Sequence, residues 1–277
     1  MVPAEDFFAI GVTGRNESVD RAQMPTDRNH FKYTAGVELE RDEHPESVQC
    51  LADARQAWRA DVIHDRERRA DYVRSMKAAE QVYTAAEDAV VARGSSLFDT
   101  CVRQHGRARR LKCPPTVTRL QTNYDVQGGV WIGEGEAVIL GATPEDVVAY
   151  LMDLKSKHFQ SRLNRNLYPC YEVREIVNEH HSIMFNQIRF PPFQSRTMVV
   201  SLVWKKLCDE PLTYVWSAVS IDSHVSVRPE DEADAVRADL ARCVKLTALS
   251  SHSTKLEMAT SLDLKGNFPV RATLLAC

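Results

Sequence analysis

A chain of 277 residues is long enough for one domain of ordinary size with an extension, or for two small domains. Its hydrophobic content of 44%, charged content of 26% and formal net charge of -3 are those of a globular protein, and they exclude whole-molecule attraction to nucleic acid or anionic lipid. No run approaches the roughly 18 apolar residues of a membrane span, and the acidic N-terminus, MVPAEDFFAIGVTGRNESVD, lacks the basic and apolar regions of a signal peptide.

Residues 1–46 are rich in Asp, Glu, Arg, Asn and Pro, with only brief apolar pairs such as Phe7-Phe8, and are expected to hold little fixed structure. The texture is helical over 47–115. Leu51, Ala54, Trp58, Val62, Tyr72, Met76, Tyr83 and Val90 recur at helical spacing, which predicts one long helix or two joined near 64–69. A further helix is expected over 95–112, interrupted at Gly106 and closed by Cys113-Pro114-Pro115.

Beyond these prolines the period shifts toward that of strands. Residues 126–140 read as strand, with Gly128, Gly129, Gly133 and Gly135 suited to turns or bulges. The segment GATPEDVVAYLMDLKSKHF is the best-specified helix. Thr143 is its N-cap, Pro144 its first residue, Glu145 and Asp146 suit its positive end, and Val147, Val148, Leu151 and Leu154 form its apolar stripe. Strands are expected near 171–177, 182–190, 197–207, 213–221, 236–246 and 255–264. In the last of them Leu256, Met258, Thr260, Leu262 and Leu264 share one face, so the sheet should have one covered face and one wet face. Short connections favour antiparallel pairing.

The seven cysteines, at 50, 101, 113, 170, 208, 243 and 277, are odd in number and form no C-x-x-C pair; they read as reduced, mostly buried thiols of a cytoplasmic protein. Gly-rich GGVWIGEGE (128–136) is followed by no Gly-Lys-Ser/Thr, so it reads as a turn or bulge and not a phosphate loop. Adjacent histidines at 180 and 181 would point to opposite faces of a strand, with no further ligand at metal spacing; a turn pair is the reading, and neither metal nor cofactor is expected. No G-x-S-x-G occurs, and Ser223-His224 and Ser251-His252 are the nearest candidates for members of a triad. The run RQHGRARRLK (103–112) carries five basic residues; it reads as a solvated helix end, with lipid headgroup contact or a nuclear address as alternatives. The 51–90 stripe reads as a face docked on its own domain, the alternative being a surface for a protein partner.

Three segments stand in register: FPPFQSRTMVVSLVWKKL (190–207), SHVSVRPEDEADAVRADL (223–240) and TKLEMATSLDLKGNFP (254–269). Together they resemble START domains, the steroidogenic-acute-regulatory-related lipid-transfer family, over about residues 123–275. The resemblance implies an α+β helix-grip fold over 123–277, START or Bet v 1-like, in which a curved antiparallel sheet and a C-terminal helix enclose a hydrophobic tunnel for one lipid. It implies binding or transfer without catalysis, peripheral contact with membranes, and no nucleic acid. Tunnel-lining candidates are Trp131, Leu151, Phe185, Met198, Leu202, Trp204, Trp216, Leu256, Met258 and Leu262. His158, Phe159 and Arg162 are headgroup candidates. Arg196, Arg237, Asp263, Lys265, Gly266 and Pro269 match the family's motifs and imply architecture, although Thr197 stands where an aspartate is usual. A charged pair found in sterol-binding relatives falls, counted without gaps, on apolar Ile183 and Leu202, which gives no support for a sterol over another lipid.

The family's terminal helix runs roughly twenty residues, whereas 270–277 covers about 12 Å at 1.5 Å per residue; either the sequence is a truncated product or fragment, or another element replaces that wall, the 51–90 helices being the obvious substitute. Two alternatives to a lipid carrier remain: a lipid-independent regulatory protein acting through its N-terminal helices, and an enzyme on the same architecture.

Overall fold

In a computed structural model of the chain the described residues are 63–78, 80–104, 109–110, 117–125, 130–156, 160, 166–222, 224 and 233–266. The expectation for 1–46 lies outside them. The helical texture becomes α1, residues 63–78, and α2, Ala85–Gln104. The break falls just before α2 and not near 64–69, because Thr84 and Glu87 form a capping box: Thr84 Oγ1 accepts from the Glu87 backbone N–H at 3.2 Å, and Glu87 Oε2 accepts from the Thr84 N–H at 2.8 Å. The helix expected over 95–112 is therefore the second half of α2, and it stops at Gln104. Arg109–Arg110, expected to be helical, instead form the short strand β1, paired with β2.

Strand β2, Val117–Asp125, has no counterpart among the sequence expectations, since VTRLQTNYD places few apolar residues in alternation. Strand β3, Val130–Leu140, runs straight through Gly133 and Gly135, and its register with β10 is unbroken from Leu140 to Trp131; these glycines are strand positions and not turns. Helix α3, Pro144–Met152, has the expected N-cap Thr143, which Asp146 completes into a capping box, and ends at the C-cap Asp153.

The remaining strands are β4, Cys170–Asn178; β5, His181–Phe190; β6, Phe193–Asp209; β7, Leu212–Ser220; β8, Ala235–Arg237; β9, Asp239–Ser250; and β10, Ser253–Asp263. The stretch 236–246 is thus split, with β8 pairing parallel to β6 while β9 joins β7 and β10 antiparallel. The sheet order is β1-β2-β3-β10-β9-β7-β6-β5-β4.

The two faces of this sheet differ. On the inner face one continuous apolar cluster joins Ile139 of β3, strands β5, β6, β7, β9 and β10, and Tyr171 and Val173 of β4 with Met76 of α1 and Val147, Val148 and Leu151 of α3. On the outer face the apolar residues form separate small clusters, two of them against α2: Leu97 and Cys101 with Val219, Ala241 and Ala259, and Val91 with Val203, Val215 and Cys243. Side chains that converge on one side and spread on the other describe a curved sheet with a concave inner face. The outer face is not wet at its centre. Because α2 covers it there, Arg196 through Trp204 of β6 are all buried, and the continuous run TMVVSLVW replaces the alternation of a half-exposed strand.

Candidate ligand-binding site

The concave face is where the sequence candidates meet. Met198, Leu202, Trp204, Trp216, Leu256 and, from α3, Leu151 are buried in its single cluster, with Met258 and Leu262 packed at its margin. Phe185 is not among them. It lies in a separate outer-face cluster with Ile183 and Val199, because strand alternation turns Met184 inward and its neighbours outward. The same alternation separates Ile183 from inward-facing Leu202, so those two positions form no pair within the site. The side chain of Trp131 and the headgroup candidates His158, Phe159 and Arg162 lie outside the described residues, as does Pro269.

The two ends of the concave face differ in how fully their residues are buried. At the filled end Trp204, Trp216, Tyr214, Leu246 and Leu256 pack beneath α1 and α3. Trp204 Nε1 donates to Tyr72 of α1 at 2.6 Å, and the Tyr72 hydroxyl donates on to the Glu179 carbonyl. Arg68 of α1 reaches Asp153 at the end of α3, with Nε and Nη2 at 2.9 and 2.6 Å from Oδ1. Toward the other end the floor narrows to small side chains, Ala218, Ser220 and Ala238, and the facing residues keep accessible surface: Met258, Thr260 and Leu262 on β10, Arg242 on β9, Tyr171 and Val173 on β4. Tyr171, on the edge strand β4, is half-buried, and burial pushes its phenol up to about 12 against the pull of the Arg242 charge.

The structural motifs converge at one corner. Arg196 Nε donates to the Leu264 carbonyl at 3.0 Å and Nη2 to the Lys265 carbonyl at 3.1 Å. Lys265 N–H donates to Asp263 Oδ1 at 2.9 Å, in a turn where Lys265 and Gly266 both have positive φ, 47° and 68°. Arg237, beside Thr197 in the β8–β6 register, donates to the Ile221 and Asp222 carbonyls, both at 3.0 Å. The arginines thus cap main-chain oxygens where the sheet ends.

Sequence reasoning missed a polar network on the outer face. His181 Nε2 lies 2.8 Å from Ser201 Oγ, and its Nδ1 lies 3.1 Å from Glu87 Oε1 of α2. Glu87 is 1% exposed and also accepts from Asn178 Nδ2 at 2.7 Å. Burial opposes its ionisation, but hydrogen bonds from Thr84 and Asn178 outweigh that and hold its carboxyl at about 2. An ionised Glu87 accepts a hydrogen bond from Nδ1–H of His181, leaving Nε2 as acceptor for the Ser201 hydroxyl. The order is that of a Ser-His-acid relay, but Ser201 is 2% exposed beneath α2, and a covered hydroxyl meets no substrate. The network holds α2 to the sheet. The signal for it was the Thr84-Ala-Ala-Glu87 capping box; the Ser201 contact spans 20 residues and has no local signature. Among the described residues, Ser251 and His252 lie in the β9–β10 turn, and no group of three or more His, Cys, Asp or Glu is placed to hold a metal ion. Cys101 and Cys243 are buried, Cys170 half-buried and Cys208 exposed.

No described helix is long and apolar enough to cross a membrane. No family model matches the sequence. No curated protein matches it either. Solved structures do match. Human STARD10 superposes with a TM-score of 0.51 at 14% identity, over 71% of this chain and 74% of that one. Human StAR-related lipid transfer protein 5 gives 0.48 at 14%, over 68% and 88%. A norcoclaurine synthase from Thalictrum gives 0.32 at 12%, over 53% and 84%. With the strand order, the concave apolar face and the superposition on STARD10 in agreement, the chain has a START-like helix-grip fold.

Proposed function

We propose that this protein binds one lipid, or another single apolar molecule, against the concave face of its sheet, and carries or senses it without bond chemistry. The observation that carries this reading is the division of that face: it is apolar across its strands, yet at the end floored by Ala218, Ser220 and Ala238 the facing residues Arg242, Thr260 and Leu262 are only half-buried. A fold shared with human STARD10 agrees with it. The proposed site lies over Met198, Leu202, Met258 and Leu262, and its closed end is formed by Trp204, Trp216 and Leu256 with Leu151 of α3 and Tyr72 and Met76 of α1. Loading at a membrane surface is part of the proposal, and Leu140 and Leu249, exposed at neighbouring ends of β3 and β9, are the apolar residues offered for it.

Native mass spectrometry of the full chain, followed by extraction and identification of any bound molecule, tests the reading. One lipid per chain, retained on purification or taken up from liposomes, is the expected result. A protein that remains at its apo mass after incubation with liposomes would overturn it.

A further inference from the structure

Along the inward-facing side of β7 the residues change size abruptly, from Tyr214 and Trp216 to Ala218 and Ser220. Exposure changes at the same level. On β10, Met258, Thr260 and Leu262 are half-buried, whereas the next inward residue, Leu256, is fully buried. On β9, Arg242 is half-buried, while Val244 and Leu246 are fully buried. The strand registers place these steps on one line across the sheet: Trp204 pairs with Trp216, Trp216 with Val244, and Val244 with Met258.

The wall on that line is pinned from two sides. Trp204 is tied through Nε1 to Tyr72 of α1 and packs on Tyr214, with ring centroids 5.8 Å apart. Met76 of α1 and Leu151 of α3 close over the same cluster, and the Arg68–Asp153 pair joins those two helices. Trp216 differs from its register partner in one respect: its Nε1 is buried without an acceptor among the described residues. A buried donor left unmade costs stability that a phenylalanine or leucine at the same place would not. Packing alone therefore does not explain the indole, and what it supplies is bulk at the point where the small-residue strip begins.

We propose that Trp216, backed by Trp204, is a stop that limits how far an apolar chain reaches along the concave face, so that the protein reads the length of a single-chain ligand up to a limit and gains nothing beyond it. The tail lies along β10 over Leu262, Thr260 and Met258 and ends against the indole. Leu262 and Met258 are four residues apart, about 14 Å at ~3.4 Å per residue, a distance that an extended alkyl chain spans with roughly ten carbons. Carbons past that number stay in water. The inference rests on the lipid-binding reading and narrows it to ligands that bury one tail of that length.

The test titrates straight-chain alcohols of about four to fourteen carbons, each below its solubility limit, into the full-length protein by isothermal calorimetry. Each methylene taken out of water tightens binding about fourfold, so affinity is expected to climb by that factor per carbon to about ten carbons and then level off. Trp216→Ala lengthens the small-residue strip by one inward row, about 7 Å, and is expected to move the break outward by about four carbons. Ala218→Leu fills the strip from the other side and is expected to move the break inward by about as much. Circular dichroism and thermal unfolding check the fold of each variant, and if Trp216→Ala does not fold, Ala218→Leu and the parent series decide. A parent affinity that keeps rising through fourteen carbons, or a break that the folded variants leave in place, would overturn the stop and leave lipid binding standing. Binding of none of the alcohols would overturn both.

Discussion

At the scale of a residue, Gly94 sets how closely α2 approaches the sheet. A Cβ added there would lie 2.5 Å from Ser217 Oγ and 2.9 Å from Ser217 Cβ, distances that side-chain carbons do not keep. Ser217 is fully buried, so it has nowhere to yield and α2 must lift. Gly94→Ala gains about 1 kcal/mol of helix propensity but is expected to lose more to overpacking, for a net destabilisation of roughly 1–3 kcal/mol. Urea unfolding monitored by circular dichroism measures this, and an alanine variant as stable as the parent would show that the helix is not held by this contact. The sequence alone misleads at this position. A glycine within a helical pattern looks like an end, whereas here it is the point of closest packing, and only the partner 123 residues away explains it. Arg242 is a similar case: LARCVKL reads as an ordinary alternating strand, and nothing local says that its arginine faces the apolar side.

At the scale of elements, what was legible was what is encoded locally. The α3 cap, the strand run from 171 onward and the alternation of β10 rest on neighbours within a few residues, and each is found. What failed was set by long-range pairing. β2 is a strand because β3 lies beside it, and Phe185 leaves the site because its strand is counted from register and not from composition. The attachment of α2 is also a long-range matter, and it makes stability depend on pH. Burial lowers the His181 pKa below its ordinary 6.5, so the folded protein keeps a neutral ring where the unfolded chain takes up a proton, and stability falls as pH drops through that value. Glu87 acts lower down: its contribution is present above the ordinary 4.5 and is lost as pH falls from there to about 2. Urea midpoints measured from pH 8 to pH 3 are expected to decline in two stages, with Glu87→Gln removing the lower one. A variant that retained the full loss below pH 4.5 would remove Glu87 from the account.

At the scale of the whole molecule, α1 and α3 lie on the concave face and α2 on the convex one, so the chain clasps its own sheet from both sides. A ligand that binds only this clasped state stabilises it by mass action, by about 2.7 kcal/mol at a hundred times its Kd, which corresponds to roughly 5–10 °C of Tm for a protein of this size. Thermal unfolding with and without an alkyl ligand at that excess checks it, and an unmoved Tm would mean that the concave face takes up nothing. The clasp has a further consequence for how the protein is made. The strands beneath α2 are β6, β7, β9 and β10, all translated long after the helix itself. At about 5–20 residues per second, the interval between Gln104 and the end of β9 lasts on the order of ten seconds, during which Val91, Leu97 and Cys101 have no surface to cover them. On the ribosome this helix is an apolar-faced segment made well before the strands that complete its binding site.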